Sequence, residues 1–574
     1  MDGSAGTASS RQSSAAFASR GRPAAIRVTA IQVTAAFLRI PPFPRHRAPA
    51  LGNPGPGEAG GNVAAALRRA RVGGTFWGPA PTLPTGRDVL VHASSARRAA
   101  ALMAFVAAEG LSDRAVTLGP LRGFESMPGL ANESDPWAAC EGASLVLVDA
   151  DSEIALVAAL VGTPLRIEGE GRFAALANPA SLDEVLEREV GAGWRYRDPF
   201  HGTALSAVEA IAMLGRWRTM IEANRRFVQV HGVARWKQVT ADALLWDGAG
   251  PVRHAGGRAP LPATGACVAA WVARSDADSL AAMAAHGVRI GEIEDGMIRS
   301  TGLGANCVPP LSIVVDAAGP HFDPAQASEL ETILQTVDID ETLLARAAAL
   351  RETLVRAGIS KYGQDQAHAV APGRADGRRR VLVTGQVEDD RSVLSGGCGL
   401  DNLELLRRAR ALEPDAHIVF KPHPDVEAGH RKGRVPDAQA LGLADEIDRS
   451  SSIAALLDRI DAIHVLTSLA GFEALMRGCE VVTHGVPFYA GWGLTRDMGP
   501  VPDRRSRRRS LDELVAATLI LYPRYLDPVT RLPCEAELLV ERIAAGQAVV
   551  RSPLIRLREM QGRMKRLMGR TFQA

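Results

Sequence analysis

The sequence predicts an α/β protein built from doubly wound, Rossmann-like domains. From about residue 87 onward, apolar runs of strand length alternate with amphipathic helical stretches, which is typical of parallel sheets covered by helices. Part of this pattern also occurs twice in the chain. The predicted strands are DVLVHA (88–93), SLVLVDA (144–150), ACVAAWVA (266–273), VRIGEIE (288–294), RRVLVTGQ (379–386), AHIVFKPHP (416–424), DAIHVLTS (461–468) and CEVVTHG (479–485).

The composition of the 574 residues excludes several classes of protein. Hydrophobic residues make up 46% and charged residues 23%, as in ordinary globular proteins. The formal net charge of +2 lacks the basic excess of nucleic-acid-binding proteins. The six cysteines form no CxxC pair, which argues against a zinc ribbon or disulfide scaffold and predicts reduced thiols. No uncharged apolar run reaches the roughly 18 residues of a membrane-spanning helix.

Residues 1–82 are predicted to form a disordered tail. They are rich in Ala, Gly, Ser, Pro and Arg, and such a stretch buries too little apolar surface to offset its ordering entropy. The apolar segment IRVTAIQVTAAFLRI (26–40) contains two arginines and precedes no small-residue cleavage site, which argues against a secretory signal. An over-extended start of translation is another interpretation of this region.

An internal repeat is indicated by three segments that recur in order. The pairs are SLDEV (181–185) and SLDEL (510–514), YRDP (196–199) and YLDP (525–528), and LVLVDADSEIALVAALVG (145–162) and AIHVLTSLAGFEALMRG (462–478). The first two pairs are 329 residues apart and the third is 316 apart, because the first copy lacks the loop PFYAGWGLTRDMG. The sequence therefore predicts one complete module over about 200–545, preceded by the back half of an eroded copy.

Polar side chains follow several predicted strands, at the sheet edge where α/β proteins bind ligands. The segment EIEDGMIRSTGLGANCVPPLS (292–312) places Glu294 and Asp295 at a strand end. Because neighbouring strand residues face opposite sides, at most one of the two carboxylates points into a given cleft. A turn in which Asp295 accepts backbone amides is an equally simple interpretation.

Two further clusters follow predicted strands. In GQVEDDRSVLSGG (385–397), Asp390 lies among small residues that let a ligand approach the backbone, although a solvated loop is the simpler interpretation. In FKPHPDV (420–426), Lys421 and His423 could face a phosphate, with the prolines stiffening the loop.

The segment TSLAGFEALMRG (467–478) begins a helix. Thr467 and Ser468 could offer a hydroxyl and backbone amides to an anion, or Ser468 could simply cap the helix. Glu473, one and a half turns on, could accept hydrogen bonds from a ribose. PFYAGWG (487–493) could be a binding lid or a surface loop.

Together these clusters predict a ligand in the crevice between two successive α/β units. The sequence contains no GxxxxGK[ST], which excludes a P-loop nucleotidase. Asp149 and Asp151 form a DxD pair only in the eroded copy, so no metal is expected. These features predict a transferase whose leaving phosphate is stabilised by basic and amide donors.

The motifs form a specific series: EDGMIRSTGLG, PPLSIVVD, GQVEDDRS, KPHPDV, TSLAGFEAL, PFYAGWGLT and YLDP. This series resembles the capsule polysaccharide β-Kdo transferases of the KpsC/KpsS type, in which Kdo is 3-deoxy-D-manno-oct-2-ulosonic acid. The resemblance covers roughly 200–545. It implies a GT-B-like pair of Rossmann-type domains, CMP-β-Kdo as the donor, no cofactor, and transfer with retention to a lipid-linked Kdo acceptor of the lyso-phosphatidylglycerol type.

The resemblance also implies roles for residues of this sequence. Asp390 would be the nucleophile, and Glu294 or Asp295 the general base, with Glu294 preferred. His423 and Lys421 would bind the departing CMP phosphate. The donor-binding candidates are Gln386, Ser392, Lys421, His423, Pro424, Thr467, Ser468 and Glu473, where Glu473 would hold the cytidine ribose, and the acceptor-side candidates are Arg299, Tyr489 and Trp492.

KpsC-like proteins carry two modules in tandem, and here the first copy would be catalytically inactive. It has Val157 where the complete copy has Glu473, Asp151 for Thr467, and no counterpart of EDG, QVEDD or KPHP. The predicted boundaries are a disordered tail (1–82), a degenerate partial module (83–199), an N-terminal Rossmann-like half (200–375), a C-terminal CMP-binding half (376–545) and a basic amphipathic helix (546–574).

The predicted C-terminal helix suggests where the protein works. Between Arg551 and Arg570 lie seven basic residues and one acidic residue, with apolar residues three and four apart. Such a helix suits the headgroups of an anionic leaflet, which predicts a cytoplasmic protein peripheral to the inner membrane. A helix docked on the Rossmann domains is the alternative, and contacts with other capsule biosynthesis or export proteins are a further possibility.

Two other functions fit the same residues. One is a transferase that uses CMP-sialic acid or another CMP-linked 2-keto sugar acid. The other is a non-catalytic, glycolipid-binding component of capsule assembly. The sequence leaves the linkage position, the acceptor and the oligomeric state open.

Overall fold

The computed structural model describes residues 36–57, 61–119, 128–131, 133–256, 259–300, 307–361, 363–364, 377–429 and 431–548. Its first part holds a parallel sheet of five strands in the order β4–β3–β2–β5–β6, called the first sheet, and a small antiparallel sheet β1–β7–β8. The strands are β1 (Gly52–Pro54), β2 (Val89–His92), β3 (Ala115–Leu118), β4 (Gly129–Leu130), β5 (Leu145–Asp149), β6 (Leu165–Glu168), β7 (Trp194–Arg197) and β8 (Ala204–Leu205), and the helices are α1 (Val63–Ala70), α2 (Ala96–Ala108), α3 (Pro136–Gly142), α4 (Ile154–Val161) and α5 (Leu182–Glu189).

The second sheet has seven strands in the order β10–β9–β11–β12–β13–β22–β23, of which β10, β9, β11 and β12 are parallel to one another. Its Rossmann-like part contains β9 (Phe227–His231), β10 (His254–Ala255), β11 (Cys267–Ala270), β12 (Arg289–Asp295) and β13 (Ser312–Asp316), with the helices α6 (Ala207–Asn224), α7 (Gln238–Leu244), α8 (Ala277–Ala285), α9 (Glu329–Thr336) and α10 (Glu341–Arg356). A two-stranded ribbon of β14 (Ile359–Ser360) and β15 (Gly363–Gln364) follows.

The third sheet has six parallel strands in the order β18–β17–β16–β19–β20–β21. It consists of β16 (Arg380–Thr384), β17 (His417–Lys421), β18 (Glu446–Ile447), β19 (Ala462–Val465), β20 (Glu480–Thr483) and β21 (Arg496–Asp497), with the helices α11 (Arg391–Gly396), α12 (Asn402–Leu412), α13 (Pro424–Glu427), α14 (Asp437–Leu441), α15 (Ile453–Leu457), α16 (Leu469–Met476) and α17 (Leu511–Val515). Successive residues of β16, such as Leu382 and Val383, point to opposite faces and belong to different apolar clusters, so the sheet is buried on both faces.

All eight predicted strands form, each in a parallel pair. The fold class is therefore confirmed: two Rossmann-like domains, built on the second and third sheets, follow a smaller Rossmann-like sheet.

The end of the chain returns to the second sheet, which corrects one predicted boundary. After a π-helical segment over Ala516–Leu521, strands β22 (Arg524–Leu526) and β23 (Pro533–Cys534) pair antiparallel beyond β13, followed by α18 (Ala536–Ala544). The predicted C-terminal half (376–545) thus contributes two strands to the other domain. The physical reason is that β13 offers an unpaired edge, where Tyr525 becomes buried.

The second half of the predicted tail is ordered, so the prediction of disorder over 1–82 is wrong there. Strand β1 pairs antiparallel with β7, and Phe37, Leu38 and Phe43 are buried. The ring of Phe43 lies 5.1 Å from that of Trp246, edge to face. The average composition hides a few large apolar side chains, and these are enough to hold the segment.

The predicted basic helix at 546–574 lies outside the described residues apart from its first three positions, which form a turn. None of the described helices is both long enough and apolar enough to cross a membrane.

Candidate active site

The carboxyl edges of the second and third sheets meet through one ion-pair cluster. Arg391, the first residue of α11, reaches from the third-sheet domain to two carboxylates of β12. Its guanidinium pairs closely with Glu292, and its Nη1 lies 3.3 Å from Oε1 of Glu294. Glu292 and Glu294 are two residues apart on one strand and therefore share a face. The two domains meet at this face of β12, and the region between their carboxyl edges is called the crevice.

Glu294 is the carboxylate in this cluster whose titration is shifted upward. Burial raises its pKa to about 7, and the neighbouring charges of Glu292 and Asp295 act in the same direction. The guanidinium of Arg391 opposes them only in part. A carboxylate of this kind can take up or release a proton near neutral pH, as a general base must.

Asp295 points to the other side of the strand and is held by two cations. Lys237 Nζ lies 2.8 Å from its Oδ1, and Arg299 Nε lies 2.5 Å from its Oδ2. Burial alone would raise its pKa, but the charges of Lys237 and Arg299 outweigh that effect and lower it. Asp295 is thus kept ionised in a structural pair, and the geometry favours Glu294 as the base.

Arg299 was predicted on the acceptor side, and the structure contradicts this. Its side chain is 1% exposed and, besides Asp295, donates to Ser300 Oγ and to the Val308 carbonyl at 2.8 Å each. A guanidinium this well satisfied in the interior holds the loop after β12 and has no surface on which an acceptor could bind.

Asp390 lies at the N-terminus of α11 and is exposed. Its Oδ1 accepts hydrogen bonds from the backbone amide of Ser392 at 3.0 Å and from Ser392 Oγ at 2.8 Å. The charge of Asp390 acts to raise the pKa of His423, which therefore lies nearby. The structure therefore brings the predicted nucleophile and the predicted phosphate-binding histidine together.

Gln386 organises the loop that begins α16. Its Oε1 accepts the backbone amides of Leu466, Thr467 and Ser468 at 2.9 to 3.2 Å, and its Nε2 donates to Thr467 Oγ1 at 3.0 Å. The amides predicted to bind a phosphate thus contact an amide oxygen of the chain itself. The side chain of Ser468 caps the helix by accepting from the Ala470 amide. The anion-binding role of these amides finds no support in this geometry.

The two predicted phosphate ligands of the KPHP segment, Lys421 and His423, bind different parts of the chain. Lys421 Nζ donates to the Ser451 carbonyl at 2.6 Å, on the side of the loop after β18. His423 caps the short helix α13 by accepting the Asp425 amide through Nδ1, and the exposed Pro424 is the first residue of that helix. Burial lowers the pKa of His423, so the imidazole is neutral near pH 7.

Glu473 is 6% exposed and lies on α16 with the apolar residues of that helix. Its Oε1 accepts the backbone amide of Lys361 at 3.4 Å, which joins α16 to the β14–β15 ribbon. The carboxylate is thus held at a fixed place beside the crevice.

Tyr489 and Trp492 were predicted as acceptor-side residues of a lid or a surface loop, and both descriptions are wrong. Each side chain is fully buried. Tyr489 donates to the Ser468 carbonyl at 2.5 Å, and Trp492 Nε1 donates to the Phe488 carbonyl at 2.9 Å. The close approach of Tyr489 to α16 requires a glycine at Gly471, where a Cβ would lie 2.2 Å from the tyrosine oxygen. This loop is a core element that braces α16.

Sequence reasoning missed the residues that join the two domains. Arg391 directly follows the predicted nucleophile, and Glu292 lies two residues before Glu294, so alternation along the strand could have suggested the latter. Lys237 lies in a 3₁₀ turn, with Nζ 3.5 Å from the ring centre of Trp271, and no local pattern marks it. Among the described residues, no group of three or more His, Cys, Asp or Glu side chains is placed to hold a metal ion.

Comparisons with known proteins support the resemblance seen in the sequence. A family model described as "Capsule polysaccharide biosynthesis protein" matches residues 342–525. The capsule polysaccharide modification protein LipA of Neisseria meningitidis is 45% identical over 253 residues, which are 44% of this chain and 36% of LipA. The chain belongs to the KpsC/KpsS-type capsule polysaccharide family.

Other members extend the comparison. The lipopolysaccharide-processing protein LpsZ of Rhizobium meliloti is 43% identical over 236 residues, which are 41% of this chain and 53% of LpsZ. The matched part of the chain thus spans about a third to a half of these curated relatives. The solved β-Kdo 2,7 transferase of Thermosulfurimonas dismutans KpsC is 36% identical, with 49% of this chain and 86% of that chain covered and a TM-score of 0.40. The solved β-Kdo 2,4 transferase of the same KpsC is 28% identical, with 55% of this chain and 98% of that chain covered and a TM-score of 0.46.

Proposed function

We propose that this chain is a retaining glycosyltransferase that adds β-Kdo from CMP-β-Kdo to a lipid-linked Kdo acceptor in capsule biosynthesis. The observation that carries the proposal is the contact of Arg391, the residue after Asp390, with Glu294 of the other domain. A carboxylate nucleophile and a carboxylate of raised pKa are the two groups that a double displacement requires. Family membership and the KpsC/KpsS motif series support Kdo as the sugar.

The first displacement uses Asp390. One of its carboxylate oxygens forms a bond to C2 of Kdo while the bond from C2 to the phosphate oxygen of CMP breaks, and the electron pair leaves with CMP. Ser392 holds the other oxygen through its amide and hydroxyl, which fixes the direction of attack. The neutral imidazole of His423, beside Asp390, would donate a hydrogen bond to the departing phosphate.

The second displacement uses Glu294. The hydroxyl oxygen of the acceptor forms a bond to C2, its proton passes to the Glu294 carboxylate, and the bond from C2 to Asp390 breaks. Two inversions at C2 give net retention. A pKa of about 7 suits a group that must accept a proton near neutral pH and then release it.

The remaining donor contacts follow from the loop at the start of α16. Gln386 holds that loop, and the hydroxyls of Thr467 and Ser392 lie 3.5 Å apart beside the nucleophile. We assign these hydroxyls to the donor phosphate, in place of the amides that Gln386 occupies. Glu473, fixed on α16, would accept hydrogen bonds from the cytidine ribose, and no resident metal or cofactor enters this scheme.

An open cavity of about 380 Å³ lies along the carboxyl edge of the second sheet. Its lining includes His231, Arg274 and Ser275. His231 and Glu292 both pair with Ala270, so they lie at the same height two strands apart, about 10 Å across the sheet. An acceptor sugar in this cavity would present its hydroxyl towards Glu294 while its lipid, of the lyso-phosphatidylglycerol type, extends outward to a membrane surface.

The partial first module would have no transferase activity. The position that corresponds to Thr467 is Asp151, and its carboxylate pairs with Arg98. Asp149, two residues earlier, accepts the Ser94 amide and hydroxyl. The equivalent of the donor loop is therefore closed by ion pairs and hydrogen bonds of its own.

A panel of donors tests the proposal. Purified protein is incubated with a synthetic Kdo-lipid acceptor and with CMP-Kdo, CMP-sialic acid or CMP alone, and the release of CMP and the glycosylated lipid are measured. The proposal predicts product with CMP-Kdo. Product with CMP-sialic acid instead would assign another 2-keto sugar acid, and acceptor binding without turnover of any donor would identify a non-catalytic assembly component.

A further inference from the structure

Arg391 is the cation nearest in sequence to the proposed nucleophile. It occupies the first position of α11, and Asp390 is the cap of that helix. Its guanidinium pairs with Glu292 through both Nη atoms, while its only contact with Glu294 is 3.3 Å long. Such a distance marks a weak hydrogen bond. Arg391 is thus firmly held by one carboxylate and loosely by a second.

The guanidinium also has room for a further anion. Its side chain is 37% exposed, whereas that of Glu292 is 9% exposed. The Nε–H has no acceptor among the described side chains and carbonyls. The ring of Phe322 lies 5.0 Å from the guanidinium carbon and supports its plane. One open edge of the guanidinium therefore faces the crevice.

The chemistry of the proposed donor requires an anion receptor at this place. In a 2-keto sugar acid, the C1 carboxylate is bonded directly to C2, the atom that Asp390 attacks. A group that binds this carboxylate must therefore lie within hydrogen-bond distance of an atom group that is one bond from the reacting centre. Arginine is suited to it, because its planar donors match both oxygens of a carboxylate.

Three other cations near this place already have partners. Lys421 donates to the Ser451 carbonyl, and Lys237 is bound to Asp295. Arg431, which acts on the pKa of His423, pairs with Asp389 at 3.2 Å. Arg431 is the rival candidate, since it is also exposed on this side.

We propose that Arg391 binds the C1 carboxylate of the donor sugar and so selects 2-keto sugar acids over nucleotide sugars that lack this group. The inference rests on the proposed function. On binding, the donor carboxylate occupies the open Nε edge of the guanidinium while Glu292 keeps its pairing, and the weak contact between Nη1 and Glu294 is given up. Glu294 is then released towards the acceptor hydroxyl at the step that needs it.

A cycle of two enzymes and two donors tests this assignment. The donors are CMP-Kdo and its C1 amide, which lacks the negative charge, and the enzymes are the parent and Arg391→Gln. We expect the substitution to lower kcat/KM for CMP-Kdo at least about tenfold more than kcat/KM for the amide, because only CMP-Kdo carries the charge at C1. The inhibition constant of CMP should stay within about twofold, because CMP lacks the carboxylate.

Two further variants keep the outcome decisive. Arg391→Lys retains the charge and the fold and should give an intermediate loss, confined to CMP-Kdo. Arg431→Gln should change kcat/KM for both donors by the same factor. Equal losses for both donors in the Arg391 variants, or a selective loss in Arg431→Gln, would overturn the assignment. Failure of the parent enzyme to use CMP-Kdo would instead refute the proposed function.

Discussion

The guanidinium of Arg391 contacts the carboxylate of Glu294 across the crevice, with Nη1 3.3 Å from Oε1. The two residues come from different domains and lie 97 positions apart in the chain. Arg391 follows the proposed nucleophile Asp390, and Glu294 is the proposed base. The contact therefore couples the nucleophile side of the site to the base side, and the predictions below separate the two.

The base side is tested by pH. Burial raises the pKa of Glu294 to about 7, and a general base acts in its ionised form, so kcat/KM for the acceptor should rise as pH increases through about 7. Glu294→Gln should lose most activity and this rise with it. Glu404→Gln, on the exposed face of α12, is the control and should keep both. A rise that persists unchanged in Glu294→Gln would assign the base elsewhere.

The same shift has a consequence for stability. Because the pKa of Glu294 in the folded state lies above its ordinary value of 4.5, its contribution to stability is complete below that pH and is lost as pH rises through about 7. Glu294→Gln should therefore show a smaller fall in the free energy of unfolding than the parent between about pH 5 and about pH 8. These two values lie on either side of the raised pKa of Glu294. Urea unfolding at the two pH values measures the difference. An identical fall in parent and variant would contradict the upward shift.

The nucleophile side is tested by Asp390→Asn. Asparagine caps helices about as well as aspartate, so the fold and CMP binding should survive. Transfer should fall by several orders of magnitude, because an amide cannot attack C2. Asp401→Asn, which replaces the carboxylate that caps α12, is a matched control and should leave transfer intact. Transfer within about tenfold of the parent would remove Asp390 from this role.

Tyr489 is predicted to stabilise the fold and not to bind the acceptor. Tyr489→Phe removes the buried hydroxyl that donates to the Ser468 carbonyl, which should cost about 1–3 kcal/mol in the free energy of unfolding. The KM for the acceptor should remain close to the parent value. Urea unfolding and acceptor titration measure the two quantities. A raised KM with unchanged stability would restore Tyr489 to the acceptor site.

The segment that begins at Phe37 should matter for stability. Phe43→Ala removes a buried ring that contacts Trp217 and Trp246, and the expected loss is about 3–5 kcal/mol. Val529→Ala, at an exposed position, should change stability by less than about 0.5 kcal/mol. Equal, small effects of both substitutions would indicate that residues 37–57 do not contribute to the fold.

The internal repeat shows how far sequence reasoning reached. Tyr196 donates to the carbonyl of Val190, and Tyr525 donates to that of Leu519, each six residues upstream. The hairpins also share a register, since both tyrosines pair with the residue nine positions on. The repeated motif and its hydrogen bonds are both local, so the similarity of the two sequence segments was enough to predict the repeat.

Contacts between distant segments were beyond the sequence. Whether a polar residue such as Arg391 faces solvent or the carboxylates of another domain depends on which segment packs over it, and spacing along one strand cannot tell the two apart. From the sequence, PFYAGWG could be a binding lid or a surface loop. In the structure Tyr489 and Trp492 are buried, and a distant glycine, Gly471 of α16, allows Tyr489 to pack closely.

The most direct test of the account is the configuration of the product. The parent enzyme is incubated with CMP-Kdo and a synthetic Kdo-lipid acceptor, and NMR spectroscopy of the purified glycolipid determines the anomeric configuration of the added sugar. We predict one β-linked Kdo residue per CMP released, and no product with Asp390→Asn. An α-linked product, or β-linked product formed equally well by Asp390→Asn, would contradict the double displacement at Asp390.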